Sequence, residues 1–407
     1  MRIVDVCAFY TPHGGGVKTY VERKLKALPA LGHEIIVLAP GRYDRVERRG
    51  PGALLVTVAQ PALPVDRRYH YFTDRSAIHD ALDAWRPDFV EASSPWSSAT
   101  KVADWQGAAP RALVMHADPL SSYAYRWLGA VASRARIDRM CGGFWAHLRA
   151  LDRGFDLVVS PGASLSRRLS AGGLEKVVTV PLGVEPGIFR PERADPALRR
   201  ELFDRLKLAG DGIILAGVGR FGAEKRWPMV VRAAAQASRR RPVGLVLIGA
   251  GGERERIAEA AAGCSHIEIM EPTASRGELA RLLASCDALV HGCESETFGL
   301  VASEARASGL PLIVPDRGGA FDQLGAGAGL AYRAGSQRAL RDAIVRLYDT
   351  PGAFGGHERA AARVRTMDQH FADLTGRYAA LVPGSQDLAV EPEWLTAARP
   401  WTEALSA

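Results

Sequence analysis

The stretch Asp287-Ala-Leu-Val-His291-Gly-Cys-Glu-Ser-Glu296-Thr-Phe-Gly299-Leu-Val-Ala-Ser-Glu304-Ala305 reads as strand, loop and helix in that order. The apolar run Ala288 to Val290 has the length of a strand buried on both faces of a parallel sheet. A polar loop with glycine follows, then a helical pattern in which Leu300, Val301, Ala305 and Ala307 can face a sheet. In an open α/β sheet, ligands sit beyond the carboxyl ends of the strands, at the N-termini of the next helices. Free N–H groups near Phe298, Gly299 and Leu300 can therefore meet an anion, and Glu304, deeper in the helix, can accept hydrogen bonds from ligand hydroxyls.

The same alternation extends on both sides. Upstream, Gly212 to Ala216 predicts a strand, and Gly217-Val-Gly219-Arg220-Phe-Gly222-Ala-Glu224-Lys225-Arg226 is its loop, with a helix from about Trp227. Arg220 and Lys225 put two cations beside a helix start, a combination suited to a diphosphate because arginine forks onto oxygens and lysine adds a compact charge. A solvated basic turn is the plainer alternative. The P-loop pattern is absent. Val243–Ile248 and Ile267–Met270 read as further strands, and backbone groups near Met270 can meet a nucleobase. Leu312–Val314 follows the opening stretch, and after Leu330 the pattern returns to helices, ending in an amphipathic helix from about Met367 to Leu381.

The first half begins as β-α-β. Strand 3–8 leads into Phe9-Tyr-Thr-Pro-His13-Gly14-Gly15-Gly16-Val17, a helix runs from about Lys18 to Leu31, and a strand covers His33 to Ala39. The three adjacent glycines are not the dinucleotide fingerprint; they let a backbone approach a ligand, or they make a tight surface turn. Glu91 to Trp96 follows the short strand Phe89-Val90 and can line a cleft. His116-Ala-Asp118 follows the strand core Leu113–Met115. His116 is either a substrate contact or a structural histidine, and Asp118 either lines the cleft or caps the next helix. Residues 123–148 mix Tyr125, Trp127, Phe144 and Trp145 with Arg126, Arg134, Arg136 and Arg139. Such a segment suits an anionic membrane surface, or it is an amphipathic core helix with a solvated basic face. The Pro/Gly-rich run Pro181 to Phe189 is the expected domain boundary.

Size and composition agree with two domains. The chain has 407 residues, 47% of them hydrophobic, and Lys plus Arg number 52 against 45 Asp plus Glu. That excess fits anionic ligands or an anionic membrane. No zinc-finger or RNA-binding signature points to nucleic acid. An odd count of five cysteines without Cys-x-x-Cys suggests a reducing compartment. The chain enters a strand at once and has no run of about 20 apolar residues, so a cytoplasmic protein without a signal peptide, peripheral on the inner membrane face at most, is expected.

Glu296 and Glu304 are eight positions apart; on one helix they would be about 12 Å apart, unlike the roughly 5 Å pair of a retaining hydrolase. They address two parts of one elongated ligand, a nucleoside diphosphate with a polar group attached.

On these residues the chain resembles the retaining glycosyltransferases of family 4, with the two-domain glycosyltransferase-B fold. Glu296 to Glu304 is similar to the family's E-x7-E signature, and Gly219-Arg220-Phe-Gly-Ala-Glu224-Lys225 to its G-R-L-x-x-E-K-G. The Gly14–Gly16 loop, His116-Ala-Asp118 and Pro181 to Glu185 add support; Arg226 stands where the family has glycine, and Leu182 and Glu185 depart from its N-G-V-D element.

The resemblance implies an α/β fold of two Rossmann-like domains facing a cleft. Residues 1–182, completed by a C-terminal helix at about 367–407, form the acceptor side, and 183–366 the donor side. It implies that Arg220 and Lys225 hold the donor diphosphate and stabilise the leaving charge, with Gly15, Gly16, Gly219 and Met270 also on the donor. Glu304 would hold the ribose; Glu296 with Phe298, Gly299 and Leu300 would address the transferred sugar and distal phosphate. His116 would touch the sugar, with His13, Trp96 and Asp118 on the acceptor side. His116, Arg220, Lys225 and Glu296 are the expected catalytic set. No metal and no tightly bound cofactor are expected; the nucleotide-sugar, UDP-linked first and GDP-linked second, is a co-substrate. The acceptor would be a lipid, a lipid-linked sugar or a glycan at the cytoplasmic membrane face. A soluble acceptor, a catalytically silent nucleotide-sugar binding protein, a phosphorylase-like enzyme and an epimerase are the competing readings.

Overall fold

A computed structural model of the chain describes residues 1–11, 16–64, 66–118, 120, 133–208, 210–325, 328–350 and 364–383. His13, Gly14 and Gly15, residues 123–132 of the basic aromatic segment, and the tail with Trp394 and Trp401 lie outside the described residues.

The first sheet is built from β1 (Arg2–Cys7), β2 (Glu34–Gly41), β3 (Arg45–Gly50) and β4 (Ala53–Ala59) with four later strands. A two-stranded ribbon, β5 (Ala62–Leu63) and β6 (Asp66–His70), stands apart from it. The later strands are β7 (Phe89–Ser93), β8 (Arg111–Val114), β9 (Leu157–Ser160) and β10 (Val177–Thr179). Their order is β10-β9-β8-β7-β1-β2-β4-β3, parallel except for β3, which pairs antiparallel at the edge. The second sheet contains β11 (Ile213–Val218), β12 (Val243–Ile248), β13 (Ile267–Met270), β14 (Ala288–Val290), β15 (Leu312–Pro315) and β16 (Gly329–Tyr332). Its order is β13-β12-β11-β14-β15-β16, parallel throughout. These are two doubly wound α/β units.

Their strands are apolar because both faces are covered. In the first sheet Val4, Val6, Ile36 and Leu38 pack on one side with Ile78, Leu82 and Trp85 of the Ser76–Trp85 helix. Ile3, Ile35 and Val37 pack on the other, against helix α1 (Gly16–Ala30) through Val21, Leu25 and Leu28. Phe371, Leu374 and Tyr378 of the Met367–Ala379 helix join that second layer, and the Tyr378 ring stacks on Phe89 with centroids 4.0 Å apart. The last described helix thus crosses back onto the first sheet. Its N-terminus is fixed by a capping box between Thr366 and Gln369.

Three local expectations change. β7 runs on to Ser93, so Glu91 is a fully buried strand residue rather than a cleft-lining loop residue. The edge strand β3, Arg-Val-Glu-Arg-Arg-Gly, carries four charges in six residues and so lacks an apolar strand signal; charge is how an edge strand avoids pairing with other chains. Residues Gly329–Tyr332 form the edge strand β16 before the helices resume.

Candidate active site at the strand ends

The opening stretch folds as β14, a loop, and a helix over Leu300–Ala307. Gly299 lies at its N-cap with φ 82°, in the left-handed region, and a Cβ there would come within 2.8 Å of the Ala320 backbone. Glycine is therefore required for the loop to lie against the segment Gly318–Ala320. Glu296 sits in this loop, before the helix begins, so the helical spacing does not apply to it and Glu304. Within the helix the buried positions are Ala302, Ser303, Glu304, Ala305 and Ala307, while Leu300 and Val301 are only half-buried.

The Lys225 ammonium is hydrogen-bonded to Glu296 Oε1, and His291 Nε2 lies 3.4 Å from the same oxygen. Burial works against the Glu296 charge, but Lys225 and His291 outweigh it and hold the carboxyl well below its usual range. His291, Cys293 and Glu296 offer donor atoms within 4.8 Å of one another, and the Lys225 ammonium already sits on that carboxylate. Arg220 goes elsewhere: its side chain is 75% exposed and bonds Glu224 at 2.8 Å, while its carbonyl accepts from Trp227 Nε1. Only Lys225 of the two expected phosphate cations is thus joined to the carboxylate loop; Arg220 reaches solvent at the same loop, beside Gly219.

Glu304 is fully buried and Arg276 donates to its Oε1, while Oε2 has no hydrogen-bond partner among the described residues. Burial raises its pKa to about 7 against the pull of Arg276, with Glu185 adding to the rise. A buried carboxylate oxygen without a donor is costly, and a ribose hydroxyl would supply one. Met270 ends β13, half-buried, next along the sheet edge.

Across the cleft, His116 follows β8, and its Nε2 is 3.1 Å from Ser93 Oγ. Ser93 Oγ–H donates to Asp5 at 2.9 Å, and Lys24 donates to Asp5 at 3.0 Å and to Glu91 at 2.5 Å. Tyr378 donates to the other Glu91 oxygen at 2.8 Å. Lys24, Asp5 and Glu91 are all fully buried. Burial lowers the His116 pKa to about 4, with Asp5 opposing and Lys24 adding to the fall, so the ring is neutral near pH 7. Asp118 bonds Arg168 at 2.5 Å and lines the cleft; the segment it is expected to cap lies outside the described residues. Trp96 is 40% exposed, with its ring 6.2 Å from Phe144. Gly16 is the exposed first residue of α1.

The two halves touch here. Thr297 Oγ1 donates to the His116 carbonyl at 3.3 Å, and the Ser164 N–H and hydroxyl donate to Asp322 at 2.8 and 2.6 Å. Between them is a cleft of about 410 Å³, lined by Asp118, Arg168, Glu296, Thr297, Arg317 and Gly318 among others. Clefts of similar volume, about 420 and 460 Å³, lie elsewhere; chemistry, not size, selects this one.

Sequence reading alone does not flag Arg276, Thr297, Asp322 or the Asp5–Lys24–Ser93 set. Lys24 had a signal: it interrupts the apolar stripe Val21, Leu25, Leu28 of α1. The others are single polar residues whose partners are 19 to 181 positions away.

Comparison with known proteins identifies what this arrangement belongs to. The model for glycosyl transferases group 1 matches residues 199–364 and that for Glycosyltransferase Family 4 matches residues 14–187. A GDP-mannose-dependent alpha-mannosyltransferase of Mycobacterium tuberculosis is 29% identical over 94% of this chain and 97% of its own length. A GDP-mannose-dependent alpha-(1-6)-phosphatidylinositol dimannoside mannosyltransferase of the same species is 27% identical over 90% of this chain and 91% of its own. Among solved structures, sucrose-phosphate synthase of Thermosynechococcus elongatus superimposes with a TM-score of 0.72 at 19% identity, covering 95% of this chain and all of that one. The Anabaena Alr3699/HepE protein, solved with UDP and glucose, gives 0.66 at 15% identity over 94% of this chain and all of its own. Fold and relatives together define a nucleotide-sugar glycosyltransferase built from two Rossmann-like domains, the glycosyltransferase-B fold. The chain belongs to glycosyltransferase family 4 and is a hexosyltransferase.

Proposed function

We propose that the protein is a retaining α-mannosyltransferase that moves mannose from GDP-mannose to a hydroxyl of a lipid-linked glycan. The observation that carries the reading is the Lys225–Glu296 pair, set at the strand ends beside Thr297, whose hydroxyl bonds the His116 carbonyl. GDP-mannose is placed ahead of a UDP-sugar because relatives matching over nine-tenths of the chain use it.

In this reading Lys225, with Arg220 swinging in from Glu224, neutralises charge that builds on the departing diphosphate. Glu304 takes the ribose hydroxyls on its unpartnered oxygen. The acceptor oxygen bonds to the anomeric carbon on the face from which the diphosphate departs; the C–O bond to phosphate breaks, and the acceptor proton passes to a phosphate oxygen. Glu296 and the Phe298–Leu300 backbone hold the sugar and distal phosphate, and closure of the halves excludes water. We divide the chain at 182/183, with 1–182 and the helix from 367 on the acceptor side.

A membrane-bound acceptor is supported by the surface around Trp96, Arg136, Arg139 and Met140, the last 63% exposed. No helix among the described residues is long and apolar enough to cross a membrane. The deciding experiment is calorimetric titration of GDP-mannose and UDP-glucose into wild type, Glu304→Ala and Lys225→Ala. Selective binding of GDP-mannose, lost in both variants, is expected. Equal binding to wild type and variants would remove the proposed site. Sedimentation with anionic vesicles at moderate salt tests the surface; no binding would remove the membrane assignment.

A further inference from the structure

His116, whose carbonyl accepts from Thr297 at the cleft wall, ends a buried polar chain whose direction can be read from its donors and acceptors. Asp5 Oδ2 accepts from the Lys24 ammonium at 3.0 Å, and its Oδ1 accepts from Ser93 Oγ at 2.9 Å. A carboxylate offers only acceptors, so the single Ser93 proton is committed to Asp5. Burial pushes the neighbouring Cys7 thiol far up, so no thiolate competes for that proton. At the contact with His116 Nε2, 3.1 Å away, Ser93 Oγ can therefore only accept. A neutral imidazole carries one proton, which this contact puts on Nε2, leaving the Nδ1 lone pair with no partner among the described residues.

The ring is also fixed in space. Tyr20 packs edge-on against it with centroids 4.9 Å apart, and Thr297 of the carboxylate loop holds its carbonyl at 3.3 Å.

We propose that Ser93, oriented by Asp5 and Lys24, is a positioning residue that locks His116 as the Nε2–H tautomer, so that Nδ1 accepts a hydrogen bond from a hydroxyl of the transferred sugar. The proposal rests on the proposed function and on His116 touching the donor sugar, the contact the family resemblance implies, and adds the proton placement and the residues that impose it. The opposite tautomer would present an N–H to the same hydroxyl and require it to accept instead. The site thereby selects the orientation of that hydroxyl and not merely its presence.

Full-length protein labelled with ¹⁵N-histidine tests the tautomer directly, with the His116 signals assigned by their loss in His116→Gln. Wild type should show Nε2 protonated, and Ser93→Ala a mixture. Asp5→Asn should invert it: Lys24 keeps the amide oxygen, the amide N–H₂ turns to Ser93, and the freed Ser93 O–H donates to the Nε2 lone pair, leaving the ring proton on Nδ1, as an Asp-to-Asn change does in a hydrolase triad. With GDP-mannose as donor, Ser93→Ala should lower kcat/KM about tenfold, the size of one hydrogen bond, and Ser93→Thr should restore it. In a His116→Ala background Ser93→Ala should have no further effect. An Nδ1–H tautomer in wild type, or one unmoved by Ser93→Ala and Asp5→Asn, would overturn the proposal. A tautomer that responds as stated while Ser93→Ala and His116→Ala both keep wild-type kcat/KM would instead overturn the placement of His116 on the sugar.

Discussion

Glu304 is a fully buried carboxyl and Glu296 a half-buried one, and their surroundings push them in opposite directions. Lys225 sits on Glu296 and holds it ionised, while Arg276 does not offset the burial of Glu304, whose pKa rises from 4.5 to about 7. A carboxyl raised on folding stabilises the native state in full below its unfolded pKa, near 4.5, and loses that contribution as pH rises through about 7. The loss is on the order of 3 kcal/mol. Donor-free wild type should therefore unfold at lower urea at pH 8 than at pH 5 by more than Glu304→Gln does. Donor binding carries the opposite sign, because ribose hydroxyls bond a carboxylate more strongly than a neutral acid. GDP-mannose affinity should rise from pH 6 to pH 8 in wild type and stay flat in Glu304→Gln; a flat wild-type profile would detach Glu304 from the ribose. Removing the ammonium in Lys225→Ala should cost about 100-fold in kcat. His291 would then oppose burial on Glu296 without Lys225, and the acid limb of the pH–rate profile should move to higher pH.

The loop before the Trp227–Ser238 helix shows how an element keeps its shape when a residue departs from the family pattern. Arg226 adopts φ 54° and ψ 32° at the helix N-cap, a left-handed conformation, at the position where glycine is usual. The left-handed turn is formed here by arginine, whose guanidinium bonds Glu294 at 2.5 Å and so ties the cation loop to the carboxylate loop. The left-handed conformation costs about 1 to 2 kcal/mol for a residue with a Cβ. Arg226→Ala keeps that strain and loses the tie; Arg226→Gly loses both. Urea unfolding should rank Gly above Ala by about 1 kcal/mol, and equal stabilities would show that the strain is relieved elsewhere. This loop also marks how much the sequence reveals. Strand ends and helix starts such as Trp227, Val290 and Leu300 are legible because apolar runs and glycine breaks are local signals, although β11 runs two residues past the expected end at Ala216. The pairing of Lys225 with Glu296 is not, because it depends on β14 lying beside β11, a neighbour relation between segments more than sixty residues apart. Nor is the retreat of Arg220 to Glu224, since Glu224 and Glu296 are equally plausible partners on paper. Burial hides the Asp5–Lys24–Glu91 set in the same way: each residue interrupts an apolar run, and only the packing of α1 on β1 and β7 shows that the interruptions meet.

The whole molecule is held closed by a helix capped from the other half. Helix Ala163–Ala171 has Gly162 at its N-cap, which has no side chain to satisfy the first free N–H groups. Asp322, at the end of the Gly319–Asp322 helix in the second unit, does so instead, taking the Ser164 N–H at 2.8 Å and its hydroxyl at 2.6 Å. Glycine at 162 is required by the approach itself, since a Cβ would lie 2.4 Å from the Thr297 carbonyl. Thr297 is next to Glu296 and bonds the His116 backbone, so the same contact that caps the helix brings the carboxylate loop to His116. An open form breaks the cap, and a lost N-cap is worth about 1 kcal/mol; Asp322→Ala should therefore move the open–closed ratio roughly fivefold toward open. Gly162→Ala should act in the same direction by wedging the units apart rather than by removing an attraction. Small-angle scattering with saturating GDP-mannose should show a larger radius of gyration for both variants than for wild type. Both should also release more free mannose per mannose transferred, because water enters a cleft that closes less often. Wild-type scattering and partitioning in both variants would mean that the Ser164–Asp322 contact follows closure without contributing to it.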